Sequence, residues 1–503
     1  MSQVGDTLTL PDDEPLPLRK GLSSQTVLAL VIAWSADEPA RVGEVTLLPP
    51  EGEPRVVGRG HERPTDPGPR AIFVRQRPSV TSLTGSINAP RISRVQLLVR
   101  ATHADVLEVR NLGKCALSHN DAQLAAAEVR VGDVLQLGRD LLLLCVRRPM
   151  LLPGAVPYPV GAFGAPDSHG IVGESPASWL MRQQLAFIGR RPGHVLIQGS
   201  SGAGKELAAR AIHALSTRGE KPLVSRNAAT FPDSLIDAEL FGNRRDYPNA
   251  GMPERPGLIG ESHGTTLFLD EIGELPAPQQ AHLLRVLDEG EYSRLGESKA
   301  RRSDFRLIAA TNRPQTRLKP DFLARFAFPI HLSDLNERRE DIPLLARDFV
   351  LRMACSDPEF GERFTENAMP RISLEMSKQL LRHTYTLNAR EIGNLLSQSA
   401  MHSAGGWLEH VPSVSSNAED TPRRMDAKTA LNFSSMHGEL PPPNELGPHE
   451  IRTALDKNNG SLERTWRELG LKNRFVLMRL ISKYGVEVTR RRARSGRRPR
   501  GTH

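Results

Sequence analysis

Between residues 25 and 148, short apolar runs alternate with polar positions and turn signals: "TVLALVIAW", "RVGEVTLLP", "PRVVGRG", "AIFVRQ", "VQLLVRAT", "VLEVRNLG", "VRVGDVLQLG" and "LLLLCVRR". A period of two at this spacing predicts an all-β sandwich or barrel, because successive side chains of a strand face opposite sides of its sheet. The pattern lapses over "PMLLPGAVPYPVGAFGAPDSHG", whose Pro and Gly content reads as a linker over 151–170. From 171 to about 403, β-branched runs alternate with longer stretches of helical period, which predicts an α/β domain with a largely parallel sheet. Residues 404–447 turn polar and rich in Pro and Ser, a second linker, and a short helical unit over 448–487 precedes a basic tail, 488–503. The expected chain is multidomain: a β region over 25–150, a central α/β domain, and an all-α end.

Length agrees, since 503 residues exceed what one core accommodates. The net charge of +8 points to an anionic partner. Much of it lies in "TRRRARSGRRPRGTH", which reads either as a solvated end or as phosphate contact beside a DNA-binding element. Cys115, Cys145 and Cys355 have no metal-ligand spacing and are expected as small core residues in a reducing cytosol. No apolar run is long enough to span a bilayer, and "MSQVGDTLTLPDDEP" lacks a signal-peptide core, so a cytoplasmic protein without a membrane partner is expected.

"HVLIQGSSGAGKELAARAIHALS" carries the strongest chemical signal. A buried strand to Gln198 leads into a turn of Gly199, Ser200, Ser201, Gly202, Ala203 and Gly204, and Lys205 opens an amphipathic helix. Glycines let backbone N–H groups close round phosphates, the helix N-terminus adds a favourable field, and Lys205 would reach the β- and γ-phosphates of ATP. Glu206 stands where the Ser/Thr that ligates Mg2+ is usual. A second strand, "TTLFLDE", delivers Asp270, placed to hold Mg2+, and Glu271, placed to orient or deprotonate water. A third, "RLIAATN", ends on Asn312, placed to sense the γ-phosphate.

With these motifs, residues 171 to about 403 resemble the AAA+ domain of the sigma-54-dependent transcription activators. "IVGESPA" looks like the mouth of the adenine pocket, and "GSSGAGKELAARAIH" includes that family's habitual Glu after the Lys. The resemblance implies that Asn227 restrains the catalytic Glu271, that Arg390 in "YTLNAREIGNLL" reaches bound nucleotide, and that Arg325 acts across a subunit interface in a ring of identical chains. The partner arginine of Arg325 is here Lys319, and a lysine point charge does not reproduce a guanidinium fork.

The same family carries GAFTGA in a loop that nucleotide state raises to touch sigma-54. With flanking lengths kept, the slot here holds Asp246-Tyr247-Pro248-Asn249-Ala250-Gly251. Pro248 fixes φ and has no N–H to donate, so the apex chemistry differs. Two readings stand: the loop meets a different surface, or it no longer engages sigma-54 polymerase; the second is the expectation.

The ends carry their own resemblances. "SLERTWRELGLKNRFVLMRLISKYG" has helix-turn-helix spacing and resembles the factor-for-inversion-stimulation type of DNA-binding domain, with Lys472, Asn473, Arg474 and Arg479 facing the groove. Val476 and Met478 stand where polar or Tyr residues are usual. A helical hairpin that only packs is the alternative. The β region resembles a forkhead-associated module, a sandwich that binds phosphothreonine. Arg59 and Arg94 match its phosphate-binding residues, Ser93 its hydroxyl, and Asn111 its peptide-backbone contact. Gln96 replaces its usual His, and a sandwich that only packs or dimerises is the alternative. The expected whole is an ATP- and DNA-binding transcription regulator, hydrolysing ATP as a ring but impaired at sigma-54. The other reading is a DNA-bound regulator whose ATP site only controls assembly.

Overall fold

The structure, a computed structural model, describes residues 25–410 except 51, 104, 105, 155 and 233, then the helix Pro448–Lys457 and scattered positions up to Tyr484. The β region is two antiparallel sheets. The larger has eight strands, with Thr26–Ser35 paired to Leu141–Pro149 at its middle, and the smaller has four, including Leu97–His103 and Val106–Asn111. Short strands such as Val80–Gly85 and Leu117–His119 were not among the apolar runs, because their exposed or brief segments leave little hydrophobic trace.

The two central strands depart from simple alternation. Thr26–Ser35 is buried almost throughout. Leu28, Leu30 and Ile32 enter the sandwich core, whereas Ala29, Val31 and Ala33 share a second core with Ile342, Ala346, Met376 and Leu380 of the helical lid. Leu141, Leu143 and Cys145 divide from Leu142, Leu144 and Val146 in the same way. A strand covered on both faces reads as a continuous apolar run, which is what "TVLALVIAW" and "LLLLC" are. Burial pushes the Cys145 thiol up to about 12, with the Asp133 carboxylate adding to it. Cys355, expected in a core, is instead exposed near the end of the helix Ile342–Ser356, a correction that follows from its place in the last turn.

Polar contacts reinforce the shared core. Trp34 Nε1 donates to the carbonyl of Ile372 at 2.8 Å. Asp121, at the tip of a hairpin with φ +73°, faces Lys378 Nζ at 2.6 Å and the Arg382 guanidinium. The hydrogen bond from Arg382, with help from Lys378 and against partial burial, holds its carboxyl at about 2. The described residues of 151–170 form no helix or strand, but the segment is packed: the guanidinium groups of Arg75 and Arg77 lie over the Phe163 ring, and Asp167 accepts from Arg182 Nε at 3.0 Å.

The α/β domain centres on a five-stranded, wholly parallel sheet in the order Val224–Asn227, Thr266–Asp270, Arg306–Thr311, Val195–Gln198, Phe328–His331. Apolar clusters cover both faces, as expected when crossover helices flank a parallel sheet. The chain then forms the lid from Ile342–Ser356, Pro358–Phe364, Leu374–Arg382 and Ala389–His402. The C-terminal unit, taken by itself, buries Ile451, Ala454, Leu455, Leu469, Leu471 and Leu477 in a small core. Lys472, Asn473, Arg474 and Arg479 lie outside the described residues.

Candidate functional site

The C-terminal edge of the parallel sheet gathers the three predicted strand ends. Val195–Gln198 leads into the glycine-rich turn, and the helix Lys205–Ala214 starts at Gly204, whose φ is +102°. Gly202 also has positive φ (+76°), and a Cβ there would lie 2.0 Å from the carbonyl oxygen of Leu387. Glycine is required at this position both by conformation and by the approach of the lid. Lys205 is 7% exposed, and its Nζ donates to the carbonyls of Gly199 at 2.9 Å and Ser200 at 3.3 Å while lying 3.9 Å from Glu271 Oε1. The ammonium and the Glu271 carboxylate therefore occupy one small volume.

Asp270 is opposite Asn227 in the parallel register. Its Oδ1 accepts the Glu271 N–H at 3.0 Å. Glu271 has φ +52° and ψ +44°, a left-handed conformation that costs a non-glycine residue on the order of 1 kcal/mol and collects at functional sites. Its Oε2 accepts the backbone N–H of Asn312 at 3.3 Å. Asn312 thus meets Glu271 through its main chain.

The lid closes over the turn. Arg390 Nη1 donates to Ser201 Oγ at 2.9 Å, and the 1%-exposed Asn388 donates to the carbonyl of Ser201 at 3.0 Å. Glu391 accepts from the N–H and hydroxyl of Thr386 at 2.7 and 2.9 Å and from Leu387 N–H at 3.1 Å. Partial burial opposes its charge, but these donors outweigh it and hold the carboxyl below its ordinary value. Arg338 Nη2 donates to the Ala203 carbonyl at 3.3 Å. Nothing in the sequence marks Asn388 or Arg338 as site residues. Their residue types carry no motif signal, and only the tertiary fold brings them to the glycine-rich turn.

Other expected residues sit differently. Asn227 Oδ1 accepts from Ala229 N–H at 2.9 Å, capping a short turn. Glu206 faces solvent and pairs with Arg210 at 2.6 Å. Arg325 pairs with Asp288 at 2.5 Å on the surface, and Lys319 precedes the short helix Pro320–Leu323. Among the described residues no three His, Cys, Asp or Glu side chains form a metal cluster. Asp270 with Glu271 nonetheless fits Mg2+, which is commonly held by one or two carboxylates together with substrate phosphates and water.

The loop at 246–251 is closed on itself. Asp246 has φ +62°, its Oδ1 accepts Gly251 N–H at 2.8 Å, and its own N–H donates to Met252 O at 2.9 Å. The buried Asn243 amide donates to the carbonyls of Arg244, Tyr247 and Pro253 at 3.0, 3.3 and 2.9 Å. Tyr247 packs against Gly296 of the neighbouring hairpin, where an added Cβ would come within 2.6 Å of the ring. The Tyr247–Pro248 peptide is cis.

At the sandwich loops, Arg59 Nη1 donates to Pro90 O at 3.1 Å, Ser93 Oγ accepts Lys114 N–H at 3.0 Å, and Arg94 is exposed. Gly58 is closely packed there, with an added Cβ 1.9 Å from the Arg94 carbonyl oxygen. Gln96, fully buried, donates to Asn111 Oδ1 at 2.6 Å and to Cys115 O at 2.8 Å, while its Oε1 accepts Ser93 N–H at 3.1 Å. Asn111 Nδ2 donates to Cys115 O at 2.9 Å. The Asn111 amide is thus engaged inside the loop framework that Gln96 organises.

Residues 171–326 match the sigma-54 interaction domain family. The chain is 34% identical over 321 residues to the transcriptional regulatory protein ZraR of Escherichia coli K12, covering 62% of this chain and 69% of that protein. It is 38% identical over 246 residues to the Nif-specific regulatory protein of Bradyrhizobium diazoefficiens, covering 48% of this chain and 41% of that protein. Among solved structures, NtrX from Brucella abortus in complex with ADP aligns with a TM-score of 0.42 at 27% identity, over 64% of this chain and 70% of that one. Among the described residues no helix is long and apolar enough to cross a membrane. Strand ends, phosphate turn and relatives agree: the chain belongs to the family of transcriptional regulators built on the sigma-54 interaction domain.

Proposed function

We propose that this regulator binds ATP with Mg2+ at the Lys205–Asp270–Glu271 site and hydrolyses it as a ring of identical subunits. The observation that carries this is the convergence of Lys205, Glu271 and Asn312 within hydrogen-bonding or ion-pair distance at one sheet edge, under a lid that contributes Arg390. Asp270 would hold the metal, which supplies charge neutralisation at the phosphates, and Glu271 would orient the attacking water. Arg325 would act on the neighbouring subunit's nucleotide once released from Asp288, with Lys319 beside it as the weaker of the two cations. The basic C-terminal unit would hold the protein on DNA.

The reading includes a changed output. The family's loop grips sigma-54 through its apex, whereas here Asp246 ties the apex to Gly251 and Tyr247 leans on Gly296. Purified protein is expected to hydrolyse ATP yet fail to drive sigma-54 polymerase into open complexes in a promoter assay. Replacing residues 246–251 by GAFTGA should leave hydrolysis within about twofold and confer binding of sigma-54 with a transition-state mimic of ATP, because apex residues alone decide what a moving loop holds. ATP-dependent open complexes from the unmodified protein would return it to the ordinary activators. The second reading, a DNA-bound regulator whose ATP site only governs assembly, draws on Lys319; ATP-dependent oligomers without measurable hydrolysis would favour it.

For the sandwich we infer phosphothreonine binding by Arg59, Ser93 and Arg94, with Asn111 acting from within the loop framework. The full chain should bind a phosphothreonine peptide, and Arg59→Ala should weaken it about tenfold or more, the size of one charge-assisted hydrogen bond to a dianion. Equal calorimetric affinity for phosphorylated and plain peptide would leave the sandwich a packing module.

A further inference from the structure

The sandwich grips the segment Ile171–Ser175, which leads into the nucleotide cradle, at two points. Arg148, in the strand Leu141–Pro149, is 1% exposed. Its Nε and Nη2 hold Glu340 Oε2 at 2.8 and 2.7 Å, its Nη1 donates to Gln76 Oε1 at 3.2 Å, and its Nη2 donates to the main-chain carbonyl of Glu174 at 3.0 Å. Arg77 Nε donates to the Glu174 carboxylate at 3.1 Å, and its guanidinium also binds the carbonyls of Gly161 and Ala162 at 2.9 and 3.0 Å. Glu174 is thus held at its main chain and at its side chain by different strands of one sheet.

The ATPase side completes the grip. Asp341, next to Glu340 and fully buried, accepts the N–H groups of Glu174 and Ser175 at 2.8 and 2.9 Å and the hydroxyls of Ser175 and Ser178 at 2.6 and 2.7 Å. Arg338 donates to Ser178 Oγ and to the phosphate-turn carbonyl of Ala203, both at 3.3 Å. A continuous polar chain therefore runs from the last strand of the sandwich to the turn that would hold phosphate.

A buried arginine is a poor device for stabilising a sandwich, since an apolar side chain of similar volume avoids its desolvation. Its guanidinium hydrogen-bonds one sandwich side chain, Gln76, and otherwise reaches Glu340 and the Glu174 carbonyl of the nucleotide domain. We propose that Arg148 and Arg77 are positioning residues for the nucleotide. The sandwich sets the path of Ile171–Ser175 and, through Glu340–Asp341, the placement of the phosphate turn. This makes the sandwich a support for the segment that leads into the ATP site. The proposal rests on the ATP reading given above.

The test uses the full chain, a fluorescent ATP analogue and steady-state hydrolysis. Arg148→Met and Arg77→Gln should each raise Kd and KM about tenfold, as expected for loss of one charge-assisted hydrogen bond, with kcat within about twofold. Arg148→Met with Glu340→Met removes both buried charges and should recover stability without recovering affinity, because the donor to the Glu174 carbonyl is still missing. Arg77→Lys should restore part of the affinity lost in Arg77→Gln. Arg77 is less deeply buried than Arg148, 19% exposed at its side chain, and Glu174 keeps donors from Gly164 N–H and Trp179 Nε1 without it, so the Arg77 variants report even where an Arg148 variant fails to fold. Parent-like affinity in the double variant or in Arg77→Gln, or a loss in kcat alone, would overturn the proposal. A parent protein that binds no analogue would instead remove the ATP reading itself.

Discussion

Lys205→Ala is expected to abolish ATP binding, with affinity falling by roughly a hundredfold or more, equivalent to about 2.7 kcal/mol. The ammonium is the cation at the head of the helix Lys205–Ala214, nearly enclosed and pointing along the carbonyls of Gly199 and Ser200. A buried charge beside a polyphosphate acts in a medium where Coulomb attraction is weakly screened, so its loss outweighs the remaining N–H contacts. The substitution also removes a donor from two turn carbonyls, so circular dichroism and a melting curve should accompany the binding titration. Unchanged affinity in a folded variant would remove the site assignment.

Glu271→Gln is expected to separate binding from chemistry. Turnover should fall about 10²–10⁴-fold, the usual range for loss of a positioned general base, while ATP affinity stays within about threefold. The amide oxygen can still accept the Asn312 N–H that the carboxylate accepts at 3.3 Å, so the geometry of the third strand end is kept. Gln tolerates the left-handed backbone at φ +52° no better and no worse than Glu, which keeps backbone strain out of the comparison. The lost element is the basicity beside Lys205 Nζ. Equal hydrolysis by variant and parent in a phosphate-release assay would show that Glu271 does not position water.

Much of the site was legible because its chemistry is local in sequence. The run from Val195 through Lys205 is a strand, a glycine turn and a helix start, and each is specified by neighbours a few residues away. Asp270 and Asn312 were legible for the same reason, as polar residues ending apolar runs. Asn388 and Arg338 were not, since an Asn before a helix and an Arg in a charged run are ordinary until the fold brings them to Ser201 and Ala203. Asn227 was readable by its place at the end of the strand Val224–Asn227, and its Oδ1 makes the short-range bond to a backbone N–H two residues on that Asn side chains readily make.

Local sequence was enough for the order of elements, the glycine-rich turn, the acidic pair and the composition of the loop 246–251. These depend on period, glycine placement and residue type, which act over a few positions. The tertiary structure alone decided that the β region is docked on the lid rather than held by a free linker. It also decided that Arg148 and Arg77 serve the neighbouring domain, and that the apex 246–251 is tied down by Asp246 and Tyr247. The continuous apolar runs "TVLALVIAW" and "LLLLC" carried a trace of the docking, but a run of that length fits one covered face with irregular alternation as well as two covered faces. Which face meets which partner is fixed by contacts between residues hundreds of positions apart, such as Trp34 with Ile372, and no local pattern encodes them.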